Sequence, residues 1–191
     1  MPNPRLPRVP VAELPGDIKS MQEASQALRG DATCVEVMAN NPDLLRWYIE
    51  DFYGQVFKSG RVPAESLEVL RLRLSAQHGC KFCNQGNRLS AVEAGLSDGE
   101  IDALFSDDFS ALRHALVPVA QLADELKLTN AAGNLSETLY RSLSDHYTPA
   151  QIIELGLIGG MLTGIAKFLF VFDLVEREDF CPFPAPVEKS I

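Results

Sequence analysis

Two cysteines separated by two residues carry the strongest chemical signal in this sequence. Cys80 and Cys83 lie in the segment "SAQHGCKFCNQGNR" (75–88), between stretches with helical patterns. Residues i and i+3 share one face of a helix, so the two sulfurs can come within disulfide range. The exposed N–H groups at a helix start also stabilise a thiolate. The pair therefore indicates a dithiol that cycles between reduced and oxidised forms.

The spacing of the two cysteines is also compatible with a zinc site or with a pair of inert, buried side chains. A structural zinc ion needs about four ligands. No second close pair exists among the remaining candidates, which are Cys34, Cys181, His78, His114 and His146. A thioredoxin site follows a β-strand, whereas a helical pattern precedes Cys80, so a redox site here requires an all-α frame.

A glutamate before the pair is a candidate base for thiol chemistry. Glu68 precedes Cys80 by twelve residues, and Gly79 is suited to end one helix and lead into the next. In an antiparallel helix pair, the Glu68 carboxylate would face the cysteines and accept the proton of a nucleophilic thiol. A solvent-exposed glutamate is equally compatible with the spacing, which does not decide between the two roles.

Helical patterns elsewhere predict an all-α fold. A helix over 41–60 has Asn41 as its N-cap, and the next two span 63–79 and 80–95, although "LRLRL" within 63–79 also alternates like a strand. Capping boxes at Ser97, Asn134 and Thr148 predict three further helix starts. Pro118 predicts a kink in the amphipathic segment 109–128.

Composition restricts the class of protein and of partner. The chain has 191 residues, 46% of them hydrophobic, and a net charge of −9. An acidic chain argues against nucleic acid or anionic membrane as the main partner. The proline-broken start "MPNPRLPRVPVAELPG" is typical of no signal or transit peptide, so we expect a cytoplasmic protein.

The organisation we predict is a proline-rich N-terminal arm (1–15), one all-α domain (16–180) and a proline-rich C-terminal tail (181–191). A glutamate follows a proline by five residues at both 63–68 and 149–154. This repetition is compatible with two related halves, 35–105 and 109–175, or with a coincidence. The apolar segment 155–175 contains Lys167 and Asp173. We therefore expect a buried helix, at the core or at a subunit interface, rather than a membrane span.

The run "EVLRLRLSAQHGCKFC" (68–83) resembles the signature of the AhpD-like alkylhydroperoxidases, in the carboxymuconolactone decarboxylase superfamily, and the likeness extends over 35–105. The resemblance implies an AhpD-like helical bundle with the CxxC at the start of a helix. It also implies a homo-oligomer, either a trimer or a dimer or hexamer. By the same resemblance, Cys83 attacks a peroxide, Cys80 resolves the sulfenic acid as a disulfide, and Glu68 belongs to a proton relay. No cofactor or metal is implied.

One residue departs from the family pattern. The family usually reads C-x-x-C-x-x-x-H, and the histidine position is occupied by Asn87. An amide cannot take and return a proton near neutral pH. We therefore expect a relay that is broken or rerouted through water, with the loss of a general base worth about 10²–10⁴-fold in rate. His78 is the nearest substitute, although it does not match the family position.

The resemblance predicts a thiol-dependent peroxidase that reduces a small hydroperoxide, or another small electrophile, and is recycled by an external thiol reductant. The alternatives are a carboxymuconolactone decarboxylase-like lyase or hydrolase that acts on a small acid, and a non-catalytic redox-sensing homologue. We expect Cys34 to be a buried apolar residue and Cys181 to be incidental. The aromatic cluster of Trp47, Tyr48, Phe52 and Tyr53 is expected to be core packing, with the lining of a small pocket as the alternative.

Overall fold

Every regular element of the described chain, residues 1–183 of a computed structural model, is helical. The predicted all-α fold is thus confirmed, while residues 184–191 of the predicted tail lie outside this description. A π-helix, Trp47–Phe57, follows α3, and short 3₁₀ turns span Val11–Glu13 and His114–Leu116. The α-helices are α1 Gly16–Arg29, α2 Thr33–Met38, α3 Pro42–Arg46, α4 Ala64–His78, α5 Lys81–Glu93, α6 Asp98–Ala103, α7 Val117–Leu126, α8 Glu137–Ser144 and α9 Pro149–Val171.

Helix α4 lies at the centre of the domain, packed against α5, α7 and α9. Between residues 66 and 76, every side chain except Arg71 is buried. A helix buried on all sides carries apolar residues on several faces. The alternation in "LRLRL" therefore reflects this burial and not a strand.

A fully buried arginine joins α4 to α7 and to the loop after α6. The Arg73 guanidinium donates to both carboxylate oxygens of Asp124, at 2.9 and 3.0 Å. It also donates to the carbonyls of Leu104 and Ser106, at 3.0 and 2.6 Å. A buried charge is tolerated because these partners replace its hydration.

The segment 41–60 forms two elements where the sequence pattern predicts one. After α3 the chain widens into the π-helix, whose hydrogen bonds join residues five apart. This spacing brings Tyr48 and Tyr53 together, with ring centroids 5.2 Å apart. It also leaves Ile49 38% exposed, although α-helical spacing assigns this residue to the apolar face.

The predicted helix starts are confirmed in two of three places. Capping boxes form at Ser97 and Thr148. The prediction at Asn134 is wrong, because α8 is capped by Ser136, whose hydroxyl accepts the N–H of Leu139. The predicted kink at Pro118 is also wrong, since this residue lies in the first turn of α7, where a missing N–H costs nothing.

Helix α9 is buried along one face only. By length and composition it could cross a membrane, which is weak evidence because a core helix passes the same test. Leu155 and Ile158 are buried, and α9 packs on α4 and α7. On the opposite face, Ile153 and Leu157 are 73% and 60% exposed. The expectation of a buried helix therefore holds for one face of α9 only.

Both terminal segments bind to the domain of the same chain. In the N-terminal arm, the Val9 N–H donates to the Glu36 carbonyl at 3.1 Å. At the other end, the chain crosses the turn between α4 and α5, where the Glu178 N–H donates to the Gly79 carbonyl at 2.9 Å. The Phe82 N–H donates to the Glu176 carbonyl at 3.3 Å.

Replacement of Gly79 by alanine should destabilise the fold more than the same change at Gly30. Both glycines have left-handed φ angles, 63° and 69°, and each ends a helix. The strain of a side chain in this region, about 1–2 kcal/mol, applies to both. A Cβ on Gly79 would in addition lie 2.5 Å from the Cys181 Cα, whereas nothing is within 4 Å of one on Gly30. Urea unfolding should show the larger loss for Gly79→Ala, and equal losses would contradict the close approach.

Candidate functional site

A disulfide joins Cys80 and Cys83 at the start of α5, with their Cα atoms 5.2 Å apart. Cys80 is the N-cap, and its Sγ accepts the N–H of Cys83 at 3.2 Å. The left-handed Gly79 ends α4 directly before it. The structure thus has the helix–turn–helix arrangement that the spacing predicts, with both sulfurs at a helix N-terminus.

The disulfide lies in the wall of a cavity of about 530 Å³. Residues of α1, α2, α3, α4, α5, α9 and the π-helix line this cavity. Both cysteines contribute to the wall, but Cys80 is only 1% exposed whereas Cys83 is half-buried. A small molecule in the cavity therefore reaches Cys83 more readily than Cys80.

Four polar residues follow one face of α4 beside the disulfide. Their positions, i, i+3, i+7 and i+10, correspond to successive turns of one helix face. Arg71, Ser75 and His78 line the cavity, whereas Glu68, the first of the four, does not. Glu68 and His78 are candidates from the sequence, but the two residues between them were missed, although their spacing is visible there.

Glu68 is buried, at 7% exposure, and it is bound by Arg71. Two guanidinium N–H groups donate to one carboxylate oxygen, at 3.0 and 2.5 Å. Burial raises the pKa of Glu68, and the Arg71 charge and hydrogen bonds oppose that rise. The interpretation of Glu68 as a solvent-exposed residue is therefore wrong. The Glu68 carboxylate does not line the cavity, whereas its partner Arg71 does.

Asn87 lines the cavity one turn after Cys83. Its amide donates to the Ser75 hydroxyl at 3.0 Å, and that hydroxyl donates to the Leu72 carbonyl at 3.1 Å. This chain of hydrogen bonds ends on the main chain, and no member of it titrates near neutral pH. Asn87 thus connects α5 to α4 at the position where the family pattern has a histidine.

His78 is a neutral hydrogen-bond acceptor. It is 1% exposed, and its Nε2 accepts the Leu128 N–H at 3.0 Å. Burial, with a smaller contribution from the Lys127 charge, lowers the pKa of His78 to about 4. At neutral pH its lone pair is thus already engaged, so His78 is not a replacement for the missing family histidine.

The other two cysteines also approach this site. Cys34 lines the cavity and is buried, as expected, and burial raises the pKa of its thiol to about 12. Cys181 is not incidental, because its backbone lies against Gly79 and its Sγ–H donates to the His78 carbonyl at 3.1 Å. With Cys80 and Cys83 they belong to one apolar cluster. Only the fold brings these distant positions together.

The aromatic cluster divides between the core and the cavity. Tyr48 and Tyr53 line the cavity, whereas Phe52 is 1% exposed and Trp47 is 44% exposed. Core packing, the expectation from sequence, is therefore correct for Phe52 but wrong for Trp47, and the alternative of a pocket lining is correct for Tyr48 and Tyr53. Within residues 1–183, no group of three or more histidine, cysteine or acidic residues is arranged to hold a metal ion.

Protein stability should fall as the pH drops from about 6.5 to about 4, in part because of His78. In the unfolded chain, His78 takes up a proton near pH 6.5, whereas in the folded protein it does so only near pH 4. The unfolded state therefore binds more protons between these two pH values, which favours unfolding. At about 1.4 kcal/mol per pKa unit, the loss approaches ~3 kcal/mol. In His78→Gln, a side-chain oxygen can still accept the Leu128 N–H, and urea unfolding at several pH values should show a flatter profile. Parallel profiles would contradict this assignment.

Comparisons with known proteins agree with the resemblance predicted from the sequence. Residues 42–121 match the model of the carboxymuconolactone decarboxylase family. The chain is similar to a solved structure from Ralstonia eutropha, described as an alkylhydroperoxidase AhpD core and an uncharacterized peroxidase-related protein. The TM-score is 0.69 at 18% identity, over 94% of each chain, so this likeness concerns the fold. No curated protein matches the sequence.

Proposed function

We propose that this chain, which shares its fold with a solved AhpD core, is a thiol-dependent peroxidase that reduces an organic hydroperoxide. The observation that carries this proposal is the disulfide between Cys80 and Cys83, at a helix N-terminus and in the wall of a 530 Å³ cavity. A cavity of this volume has the size of a small-molecule site. A dithiol that pairs within one helical turn needs no rearrangement of the fold to close its disulfide.

The proposed cycle starts from the reduced pair. The Cys83 thiolate attacks the terminal peroxide oxygen, the O–O bond breaks, and the alkoxide leaves as an alcohol after it takes a proton. Cys83 becomes a sulfenic acid. The Cys80 thiolate then attacks the Cys83 sulfur, the S–S bond forms, and hydroxide leaves as water with a second proton. An external dithiol reduces the disulfide by exchange and closes the cycle.

Two contacts support this division of roles. Cys83 is the more exposed sulfur, so the peroxide reaches it first. The Cys83 N–H donates to the Cys80 Sγ, which favours the thiolate form of the buried partner. The resolving thiol is thereby held ready beside the sulfenic acid. A reducing cytoplasm, as expected from the sequence, would supply the external reductant.

The decarboxylase-like alternative would use Glu68 as a base on a small acid. The family whose model matches residues 42–121 is named for such an activity, and burial raises the pKa of Glu68. Two observations favour the peroxidase. Glu68 is bound by Arg71 and does not line the cavity, and the two cysteines do.

Cys83→Ser should abolish peroxide consumption with dithiothreitol as the reductant. Cys80→Ser, reduced beforehand and then freed of reductant, should consume one equivalent of peroxide and accumulate a Cys83 sulfenic acid, detectable by a dimedone-type reagent and mass spectrometry. Cys181→Ser is the matched control, because the serine hydroxyl can still donate to the His78 carbonyl. We expect wild-type turnover from this control. Turnover by Cys83→Ser would contradict the assignment, and an inactive wild type would contradict the peroxidase itself.

Asn87→His should increase the rate of peroxide reduction. A histidine at this position restores a group that titrates near neutral pH beside Cys83, and general-base catalysis contributes about 10²–10⁴-fold. We expect kcat/KM to rise at least about tenfold, which is less than the full contribution of a general base. The pH profile of kcat/KM should gain an inflection near pH ~6.5, the ordinary pKa of histidine. Asn87→Gln keeps an amide and should gain nothing. An equal gain in both variants would show that proton transfer is not the cause.

A further inference from the structure

Arg29 extends from the end of α1 into the cavity that holds the disulfide. Its guanidinium carbon lies 4.4 Å from the centre of the Phe82 ring, and its Nε donates to the Phe82 carbonyl at 3.1 Å. Gly86, on the next turn of α5, leaves space for this guanidinium, because an added Cβ there would overlap the Arg29 Nη2. The charge is thus fixed beside the first turn of the CxxC helix.

The cavity has a positive charge excess inside an acidic protein. Its charged lining residues are Arg29, Lys58 and Arg71, and no aspartate or glutamate of residues 1–183 joins them. Glu68 balances Arg71, and Lys58 is exposed to solvent. Within the same residues, Arg29 has no carboxylate within ion-pair distance.

Two further titratable side chains in the wall are neutral. Burial raises the pKa of the Cys34 thiol to about 12 and raises the pKa of Tyr48 well above its ordinary value. Neither group supplies a negative charge for Arg29. A half-buried guanidinium without such a partner retains a strong tendency to bind an oxyanion through its remaining N–H groups.

The rest of the wall is mostly apolar. Apolar side chains come from α1, α3 and α9, and they include Met21, Leu28, Leu45, Ile165 and Leu169. Arg29 is thus the half-buried positive charge of the cavity without an acidic partner, whereas Lys58 is exposed to solvent. Such a charge beside an apolar wall matches a ligand with one negative charge and a hydrocarbon body. From these observations, and building on the dithiol function above, we propose that the cavity binds organic carboxylates. Arg29 holds the carboxylate, and the peroxidase substrate is a hydroperoxide of an organic acid.

Arg29 lies outside the residues that match the family model, 42–121. The proposed carboxylate site lies between the end of α1, which carries Arg29, and the start of the CxxC helix α5, which carries Phe82. In this arrangement Arg29 sets specificity, and the cysteines carry out the chemistry.

Octanoate and 1-octanol, titrated into the oxidised full chain by calorimetry, test the carboxylate site without turnover. We expect octanoate to bind more tightly than 1-octanol. Arg29→Gln should weaken octanoate about tenfold or more, which is ~1.4 kcal/mol, and should leave 1-octanol unchanged. Glutamine can still donate to the Phe82 carbonyl, so the contact between α1 and α5 is preserved.

Two further variants separate charge from structure. Arg88→Gln is the matched control, because Arg88 stacks on Phe105 at 4.1 Å and does not line this cavity. It should bind octanoate like the wild type. Gly86→Ala keeps the charge of Arg29 but displaces the guanidinium, and it should weaken octanoate. Equal affinity for octanoate and 1-octanol, or an equal loss for both ligands in Arg29→Gln, would overturn the carboxylate site.

A turnover measurement distinguishes failure of the substrate class from failure of the peroxidase. With dithiothreitol as the reductant, kcat/KM is compared for a fatty-acid hydroperoxide and for its methyl ester. We expect the acid to be preferred, and Arg29→Gln to remove that preference through KM. Equal turnover of acid and ester would overturn this substrate class and leave the peroxidase intact. Arg29-dependent binding of octanoate without any turnover would support the carboxylate site and refute the peroxidase.

Discussion

The left-handed turn at Gly79 is the constraint on which the site depends. Its φ of 63° ends α4 and makes Cys80 the N-cap of α5. The two helices consequently pack side by side, with the disulfide at the start of one and the polar face of the other beside it. The same residue leaves room for the backbone of Cys181. One glycine thus positions the dithiol and the segment that covers it.

Burial decides the chemical character of the groups around the dithiol. Burial lowers the pKa of His78, because a buried imidazolium would lose its hydration, so this side chain is neutral. Burial raises the pKa of Cys34, because a buried thiolate would lose its hydration, so this side chain stays a thiol. Glu68 is buried with Arg71 as its partner. Arg29 differs, since its guanidinium faces the cavity and has no acidic partner in the described part of the chain. The cavity is therefore apolar with a localised positive charge.

Asn87 joins the two helices that carry the site, at the position where the sequence resemblance leads one to expect a histidine. Its side-chain amide donates to the Ser75 hydroxyl on α4 at 3.0 Å. An amide can hold such a hydrogen bond, but it cannot take and return a proton near neutral pH. The contact between α4 and α5 at this position therefore contains no group that titrates near neutral pH.

Local signals allowed the helices around the dithiol to be predicted. Gly79, the cysteine spacing and the capping boxes at Ser97 and Thr148 act over one helical turn, and all are found in the structure. The π-helix and the start of α7 were missed. The spacing of apolar residues is compatible with more than one helix type, and a proline pattern does not separate a kink from a helix start.

The sequence by itself determined the all-α class, the helix-start dithiol and the departure at Asn87, because these depend on residues within a few positions of one another. Only the tertiary structure decided which side chains surround the dithiol. Arg29, Tyr48 and Cys181 come from segments far apart in the chain, and packing around the buried helix α4 brings them to the surroundings of one disulfide. The spacing of residues along one helix does not predict contacts between distant segments, because these contacts depend on how the helices pack and which faces they bury.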